Sequence, residues 1–467
     1  MSDLRRKLAQ RVALGTEIAG NPATPSAEAP ISERLRLEPE VKDRRLESPA
    51  YRARVERLQG MLSSMIARQQ ADVRTTPRSA VPVELSRRGA LKFGPLPGTE
   101  TLTPYGRLHL VRNTFPPDHA HGKSRVIHAL SAEAEIIAKL ALDEELSGLD
   151  PRRFLYLDTE TTGLNGGTGT IPFLVGLAWF EDESLCVEQM VLKTPAQERA
   201  MLMRLLDKMK QASAFVTFNG KSYDWPLIQS RFVMNRMPVP EALPHVDLLH
   251  AARRVYKRRL GEVRLVSLER ALLGFRREHD IEGHEIPNLY WSMLRGGESS
   301  LLTPVLEHNV NDIVALAALL GIMADRYKNL RKEDDPTDHL GLAHVARRAA
   351  DLARAKRFAE AAAEGGGDPN LTVEALVLSA RLVAKDGAID HALRLYHRAL
   401  KAAPDDVEVT APIHLALAKL YEHRLKDPAR ALEHAAQAEL AEPYPTHARR
   451  LERLQARAAK AVVEVRS

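Results

Sequence analysis

Phe154, Leu155, Tyr156 and Leu157 form an unbroken apolar run that ends in Asp158, followed by Thr159, Glu160, Thr161, Thr162 and Gly163. A short apolar run bounded by Arg152–Arg153 on one side and a Thr/Gly turn on the other reads as a buried strand. Carboxylates at i and i+2 of a strand project to the same side. Two anions held that close repel each other unless a cation lies between them, which points to a hard divalent metal bound by oxygen. The plainer alternative is a strand that runs into a solvated acidic turn. The rest of the chain weighs between the two.

The chain has 467 residues, room for two to four domains at about 100–200 residues each. Its hydrophobic fraction of 44% is enough for real cores. A single cysteine, Cys186, excludes a disulfide framework or a cysteine zinc cluster and is expected to be a small core residue. No apolar run approaches the roughly 18–20 residues of a membrane span, and Met1 to Arg11 is too charged for a signal peptide. The expectation is a cytoplasmic protein with no membrane partner. The net charge of +6 suits a polyanionic partner.

Residues 1–100 read as a leader: a basic start (Arg5, Arg6, Lys7, Arg11), an Ala/Pro-rich linker at 20–30 and one amphipathic helix at 51–71. An N-terminal extension at 101–150 holds a strand at 105–115 and a Pro/Gly loop with His119 and His121. Those two histidines are possible metal ligands, weighed against ordinary loop polar groups. A strand at 125–130 and a helix capped by Ser131 and running to about Leu142 complete the extension. An α/β unit follows at 151–330. Its strands are the Asp158 strand, 173–180, 185–192, 214–218 and 245–249, and its helices include 195–210 and 223–235. The glycine-rich loop 163–169 lacks the Lys-Ser/Thr of a phosphate loop and opens no helix, so it reads as a flexible rim beside the acidic pair.

Three further segments add acids: Asp224 after Phe218-Asn219-Gly220-Lys221-Ser222-Tyr223, Asp247 in His245-Val246-Asp247, and Asp312 in Glu307-His308-Asn309-Val310-Asn311-Asp312. On a helix His308 and Asp312 stand at i and i+4 and share a face. Asp158, Glu160, Asp224 and Asp312 thus come from three separated segments of one strand/helix pattern. In this order the chain resembles the DEDD superfamily of 3′–5′ exonucleases over about 154–325. Together with Ser267-Leu268-Glu269, Leu272-Leu273-Gly274, Gly283, Pro287 and Tyr290, it looks most like the YprB-like branch of predicted bacterial exonucleases. The resemblance implies an RNase H-like fold and 3′–5′ hydrolysis of phosphodiesters in DNA or RNA, with two Mg²⁺ or Mn²⁺ ions. Two such ions about 3.5–4 Å apart activate water and relieve charge on the leaving oxygen. It also implies roles. Asp158 would bridge the metals, Glu160 and Asp312 would hold the ion that activates water, Asp224 would help place the other, and His308 would orient or deprotonate the water. The resemblance is uneven at the helix. Superfamily members carry either a histidine five residues before the last Asp, where this chain has Glu307, or a tyrosine four before it, where this chain has His308.

The expected substrate surface comprises Thr161, Asn219, Lys221 and Tyr223 at the site, with Arg253, Arg254, Lys257 and Arg258 and the further cations Arg259, Arg264, Arg270, Arg276 and Arg277 after Asp247. Such a run is otherwise a solvated helix face. Tyr223, Trp225, Tyr290 and Trp291 are candidates to stack terminal bases, and Trp225 and Trp291 are equally candidates for the core. Asp247 is either an acid near the metals or a strand-end cap. Residues 340–467 are helical in pattern. Ala392-Leu393, Ala399 and Pro404 recur as Ala431-Leu432, Ala438 and Pro443, a shift of 39 residues. This resembles tetratricopeptide repeats, whose usual unit is about 34 residues, and implies a protein-partner surface. The plainer alternative is a bundle that stabilises the enzyme.

The expectation is therefore an α/β protein with an RNase H-like mixed sheet flanked by helices, followed by an all-α tetratricopeptide-like domain, acting as a metal-dependent 3′–5′ exonuclease on a single-stranded 3′ end. The alternatives are a structure-directed endonuclease on the same site and a non-catalytic nucleic-acid-binding scaffold acting through the repeats.

Overall fold

A computed structural model of the chain describes residues 95–163, 169–278, 280–403 and 406–466, with side chains to residue 460. The leader to residue 94, with its expected helix at 51–71, and residues 164–168 of the glycine-rich loop lie outside the described residues.

One sheet organises the rest. Its strands are β1 (Thr99–Thr103), β2 (Gly106–Phe115), β5 (Phe154–Thr161), β6 (Pro172–Glu181), β7 (Ser184–Val191), β8 (Ala214–Thr217) and β9 (His245–Asp247), in the order β1-β2-β7-β6-β5-β8-β9. A two-residue pair, β3 (Ala120–His121) with β4 (Ser124–Arg125), stands apart from it. The strands from β1 to β5 pair antiparallel, whereas β5, β8 and β9 run parallel. β5 is therefore the seam, with a hairpin-built half on one side and a crossover-built half on the other. Phe154 to Leu157 are at most 2% exposed, and burying each contributes about 1.5–3 kcal/mol. At Glu160/Thr161 the β5–β6 register shifts. Such a bulge turns side chains at a strand end.

Helices α1 (Ala134–Ala141), α2 (Glu198–Met209), α3 (Asp224–Met234), α4 (Leu248–Leu260), α5 (Leu265–Leu268) and α6 (Ile286–Leu294) flank the sheet, and α7 (Thr303–Lys328) crosses it. α7 is long and apolar enough to pass for a membrane span, but it is mostly buried within the fold, with Ile313 to Leu320 at most 2% exposed. It lies close on β6. A Cβ at Gly176 would come within 2.2 Å of Asn309 Oδ1 and 2.3 Å of Ile313 Cδ1.

Three expectations for the local structure are corrected. The strand expected at 125–130 is a two-residue bridge followed by a 3₁₀ turn, Val126–Ala129, because Val126 and Ala129 are buried at helical rather than alternating spacing. The helix expected to be capped by Ser131 starts at Ala134, with extended backbone at Glu133 as its N-cap. The strand expected at 245–249 likewise ends at Asp247, whose carboxylate accepts from Leu249 N–H and starts α4.

The helical region comprises α8 (Pro336–Arg348), α9 (Leu352–Glu364), α10 (Pro369–Lys385), α11 (Ile389–Ala402), α12 (Val407–Leu420), α13 (Pro428–Ala436) and α14 (Tyr444–Arg466). The residues that recur at 39 positions pack alike: Ala392 and Ala431, and Ala399 and Ala438, are all fully buried. The apolar core under α4 and α7 continues through Leu340, Phe358 and Leu382, so the first of these helices share a core with the sheet unit. A second core forms around Leu395, Leu417 and Leu454. The fold is thus a mixed sheet flanked by helices, followed by an all-helical region, as expected from the sequence.

Gly176→Ala is expected to destabilise the protein by about 1–3 kcal/mol, because overpacking forces α7 away from β6. Urea denaturation measures this, and a variant within about 0.5 kcal/mol of the parent would remove α7 docking as the reason for the glycine.

Candidate active site

The carboxylates of Asp158 and Glu160 emerge on the same side of β5, partly open, while Thr159 and Thr161 are buried on the other. α7 passes over that strand end and brings His308, Asn309 and Asp312. His308 Nε2 lies 3.9 Å from Glu160 Oε1 and 3.6 Å from Asp312 Oδ2, and the three side chains are 13–17% exposed. One donor atom from each falls within 4.8 Å of the others, a spacing that can hold a metal ion. Asn309, fully buried, donates to Asp158 Oδ2 at 2.7 Å and accepts from Gln189 Nε2 at 2.8 Å. That chain fixes Asp158 to β7 through α7. Asp224, at the first turn of α3, accepts from Thr159 Oγ1 at 2.5 Å. The structure thus brings together all five of Asp158, Glu160, Asp224, His308 and Asp312.

Their electrostatics are those of an uncompensated acidic cluster. Burial, and then the charges of Asp312, Glu160 and Asp224, push the Asp158 carboxyl well above the carboxylate range. Burial raises Glu160 to about 8 against the opposing pull of His308, and Asp224 to about 6 against its bond from Thr159. Asp312 is also raised by burial, although Arg277 pulls it down. Divalent cations are what such an all-oxygen donor set selects, since they relieve the repulsion that a proton otherwise must.

Three residues that hold this cluster carry no sequence signal of their own. Arg277 is 3% exposed and pairs with Glu269 Oε2 (2.9 Å), Asp280 Oδ2 (3.2 Å) and Asp312 Oδ1 (2.5 Å). Expected among the substrate-facing cations, it is instead an internal counter-ion. Asp280 accepts from His308 Nδ1 at 2.7 Å, which fixes the ring and turns Nε2 towards Glu160 and Asp312. Burial works against the His308 charge, but Asp280 and the other two carboxylates more than offset it and raise its pKa to about 9. Thr159 holds Asp224. Asp280 lies 28 residues before His308 on a loop without periodicity, so only the fold shows the pairing.

Other expected residues sort by position. Asp247 accepts from the N–H groups of Asn219 (2.9 Å), Lys221 (3.1 Å) and Leu249 (3.0 Å), so it is the cap that shapes the loop before Asp224. Asn219 takes φ +69°, a conformation its short amide side chain tolerates. Thr161 Oγ1 donates to Gly163 O (2.8 Å), and Tyr223 OH donates to the same carbonyl (3.0 Å). Lys221 Nζ reaches Asp143 at 3.4 Å. Thr161 and Tyr223, next in sequence to Glu160 and Asp224, thus meet at one carbonyl, whereas Lys221 is turned to Asp143 and Asn219 is held by Asp247. Trp291 is 39% exposed and donates to Thr162 O at 3.3 Å, whereas Trp225 and Tyr290 are core, Tyr290 stacked on Phe173 at 4.1 Å.

The basic run on α4 is corrected in part. α4 begins at Asp247 and runs away from the site. Arg254 donates to the last carbonyls of α1 at Leu140 and Ala141, a C-cap, and Arg258 pairs with Glu374 at 2.5 Å on α10. Arg259 pairs with Asp338 at 2.7 Å on α8. These three fasten helices together, and Arg253 and Lys257 are left exposed. His119 packs on Phe115, while His121 bonds Glu269 at 2.7 Å and packs on Phe275. His121 therefore belongs to the Glu269–Arg277 ion pair, and the two histidines form no joint metal site.

In the absence of divalent ions, stability is expected to fall as pH rises from about 4.5 to about 9. Glu160 and His308 both have folded pKa values above their unfolded ones, near 8 and 9, so both hold protons in the fold that the unfolded chain has already released. Thermal melts across that range check this, and Glu160→Gln should flatten the lower part of the slope. A flat profile in the parent would contradict it. Arg277→Ala should cost about 3–5 kcal/mol by stranding Glu269, which has no solvent exposure, and chemical denaturation reads this directly.

Comparison with known proteins places this geometry. Residues 155–324 match the family model of the RNase H superfamily. Over 337 residues the chain is 30% identical to the protein named "Uncharacterized protein YprB" from Bacillus subtilis (strain 168), covering 69% of this chain and 78% of that protein. An RNase H-like domain suggests nuclease-type hydrolysis of phosphodiesters, nucleic acid as the substrate and divalent metals as cofactors. The acid-bearing strand β5 and the helix α7 that closes the acidic cluster lie almost wholly within the matched span, and the chain carries an RNase H superfamily domain and belongs to one family with YprB.

Proposed function

We propose that the chain is a metal-dependent 3′–5′ exonuclease that hydrolyses phosphodiester bonds in DNA or RNA. The observation that carries this reading is the convergence of Asp158, Glu160, Asp224 and Asp312 with His308 Nε2 at one strand end. Asp158, Glu160, Asp224 and Asp312 would hold two ions of the Mg²⁺ or Mn²⁺ class, which oxygen donors favour. When bound, such ions supply a more acidic water and Lewis acidity at the leaving oxygen. The chain's own residues do the rest. His308 Nε2 faces the cluster because Asp280 occupies Nδ1, and it orients the attacking water or, once the positive charge of bound ions has lowered its pKa, takes that water's proton. Thr161 and Tyr223, beside Glu160 and Asp224 in the chain, and Asn219 and Lys221 of the preceding loop bind the terminal nucleotides, with Trp291 as the exposed stacking face. Arg253 and Lys257 extend phosphate contact away from the site. The helical region, read as tetratricopeptide-like repeats, receives a protein partner.

The test is a panel of end-labelled single- and double-stranded DNA and RNA with Mg²⁺ or Mn²⁺, each substrate also supplied with a blocked 3′ end. Stepwise shortening of free 3′ ends that stops at the block is expected. Cleavage within blocked strands would replace this reading with an endonuclease. Asp158→Asn should lower turnover at least about a hundredfold, and an unchanged rate would overturn the site assignment.

A further inference from the structure

Three histidines converge in the helical region, away from the acidic cluster. His397 comes from α11, His414 from α12 and His434 from α13, one from each of three successive helices. His414 Nδ1 and His434 Nδ1 are 3.0 Å apart. The ring centroids of His414 and His434 are 5.2 Å apart, and those of His397 and His434 are 5.8 Å apart. Tyr421 stacks flat on His434, centroids 5.5 Å apart at 13°, and fixes that ring in place. His414 and His434 are half-buried, whereas His397 is exposed and free to change rotamer.

We propose that His414, His434 and His397 form a binding site for a borderline transition-metal ion of the Zn²⁺ class, distinct from the all-oxygen site on β5. Imidazole nitrogens bind such an ion at about 2.0–2.1 Å. Two of them on one tetrahedral ion therefore stand about 3.3 Å apart, with ring centroids about 5 Å apart. The His414–His434 pair lies within a few tenths of an ångström of both spacings, and His397 needs only a side-chain rotation to join. Zn²⁺, Co²⁺ and Ni²⁺ favour imidazole, whereas Mg²⁺ and Mn²⁺ favour carboxylate oxygen. The two sites of this chain therefore sort metals by donor type.

The protonation of the pair suits ligation. Burial, and the neighbouring imidazoles, hold His434 down to about 4, and His414 is lowered by burial and by His397. Both rings are neutral at pH 7. Without metal, one Nδ1–H donates to the other Nδ1. On binding, that proton moves to the Nε2 of its own ring, both Nδ1 lone pairs go to the ion, and the net charge of the histidines is unchanged. The ion would then tie α11, α12 and α13 together around the second core, at Leu395 and Leu417. Three protein ligands leave a fourth position open to water or to a donor from a partner.

The experiment uses the full chain carrying Asp158→Asn and Asp312→Asn, so that the acidic site does not take up the probe. Zn²⁺ is titrated against a chromophoric chelator in excess Mg²⁺, and Co²⁺ is followed by its visible absorption. One Zn²⁺ per chain, a rise in melting temperature with Zn²⁺ and an intense tetrahedral Co²⁺ band are expected. His414→Gln or His434→Gln should abolish all three, and His397→Gln should weaken Zn²⁺ binding at least tenfold. Metal-free circular dichroism and melting confirm that the glutamine variants fold. The inference is overturned if the histidine-intact chain takes up no Zn²⁺ and shows no Co²⁺ band, or if folded His414→Gln and His434→Gln variants keep the ion. If a glutamine variant fails to fold, the Co²⁺ band of the histidine-intact chain decides alone. None of these outcomes depends on nuclease activity.

Discussion

The interaction on which this structure depends is the repulsion among four carboxylates gathered at the end of β5. Burial raises the proton affinity of Asp158, Glu160, Asp224 and Asp312 alike. A fold does not collect four such groups unless other contacts hold them there. Here three of the four acids have a tether that satisfies one oxygen and leaves the other side open. Asn309 holds Asp158, Thr159 holds Asp224, and Arg277 holds Asp312. The tethers come from neutral donors and one internal cation, so they leave much of the repulsion unrelieved, and burial with that repulsion draws protons onto Asp158 and Glu160. This is the electrostatic condition for a cation site rather than for a closed ion-pair network.

Everything behind that strand end serves to press α7 onto the sheet. The helix carries two of the five converging residues, and its apolar stretch from Ile313 to Leu320 is the most completely buried run in the described chain. Gly176 sets its distance from β6. The parallel pairing of β5, β8 and β9 then places the loop before Asp224 beside the same end, and Asp247 holds that loop by two backbone N–H groups while capping α4 with a third. Core packing and site geometry are here one constraint. A shift of α7 by a fraction of an ångström would move Asn309, His308 and Asp312 together.

Much of this was legible in the sequence, for identifiable reasons. The strands and the amphipathic helix of the α/β unit follow from periodicity, and the acids stand at strand and helix ends, where spacing places them on one side. What escaped were contacts between segments distant in the chain. Arg277 and Arg258 look alike in a basic run, yet one lies inside the acidic cluster and the other joins α4 to α10. A charge run has a composition but no direction, and only the course of α4 away from the site separates structural arginines from free ones. Trp225, left open between stacking and core, and Tyr290, expected to stack bases, both prove to be core, since an aromatic residue in sequence does not show which way its ring turns. The histidines of the helical region form no motif, because three residues spaced 17 and 20 apart meet only through the packing of α11, α12 and α13.

The mixed character of the last helix has a geometric explanation. A side chain four residues before Asp312 lies on the same face, one turn earlier. A tyrosine there projects its hydroxyl well beyond the ring, whereas an imidazole is shorter and presents its nitrogen close to its own helix. The chain makes up the difference from the other side. The loop after α5 brings Asp280 against Nδ1, and the ring turns so that Nε2 stands 3.6 Å from Asp312 and 3.9 Å from Glu160. Arg277 bonds both Asp280 and Asp312, so the partner of the histidine and the neighbouring acid are held by one guanidinium. The histidine is thus placed by a tertiary support rather than by helix spacing alone. That support is a charged loop, anchored through Glu269 to His121 in the N-terminal extension, which makes the extension part of the apparatus that orients His308.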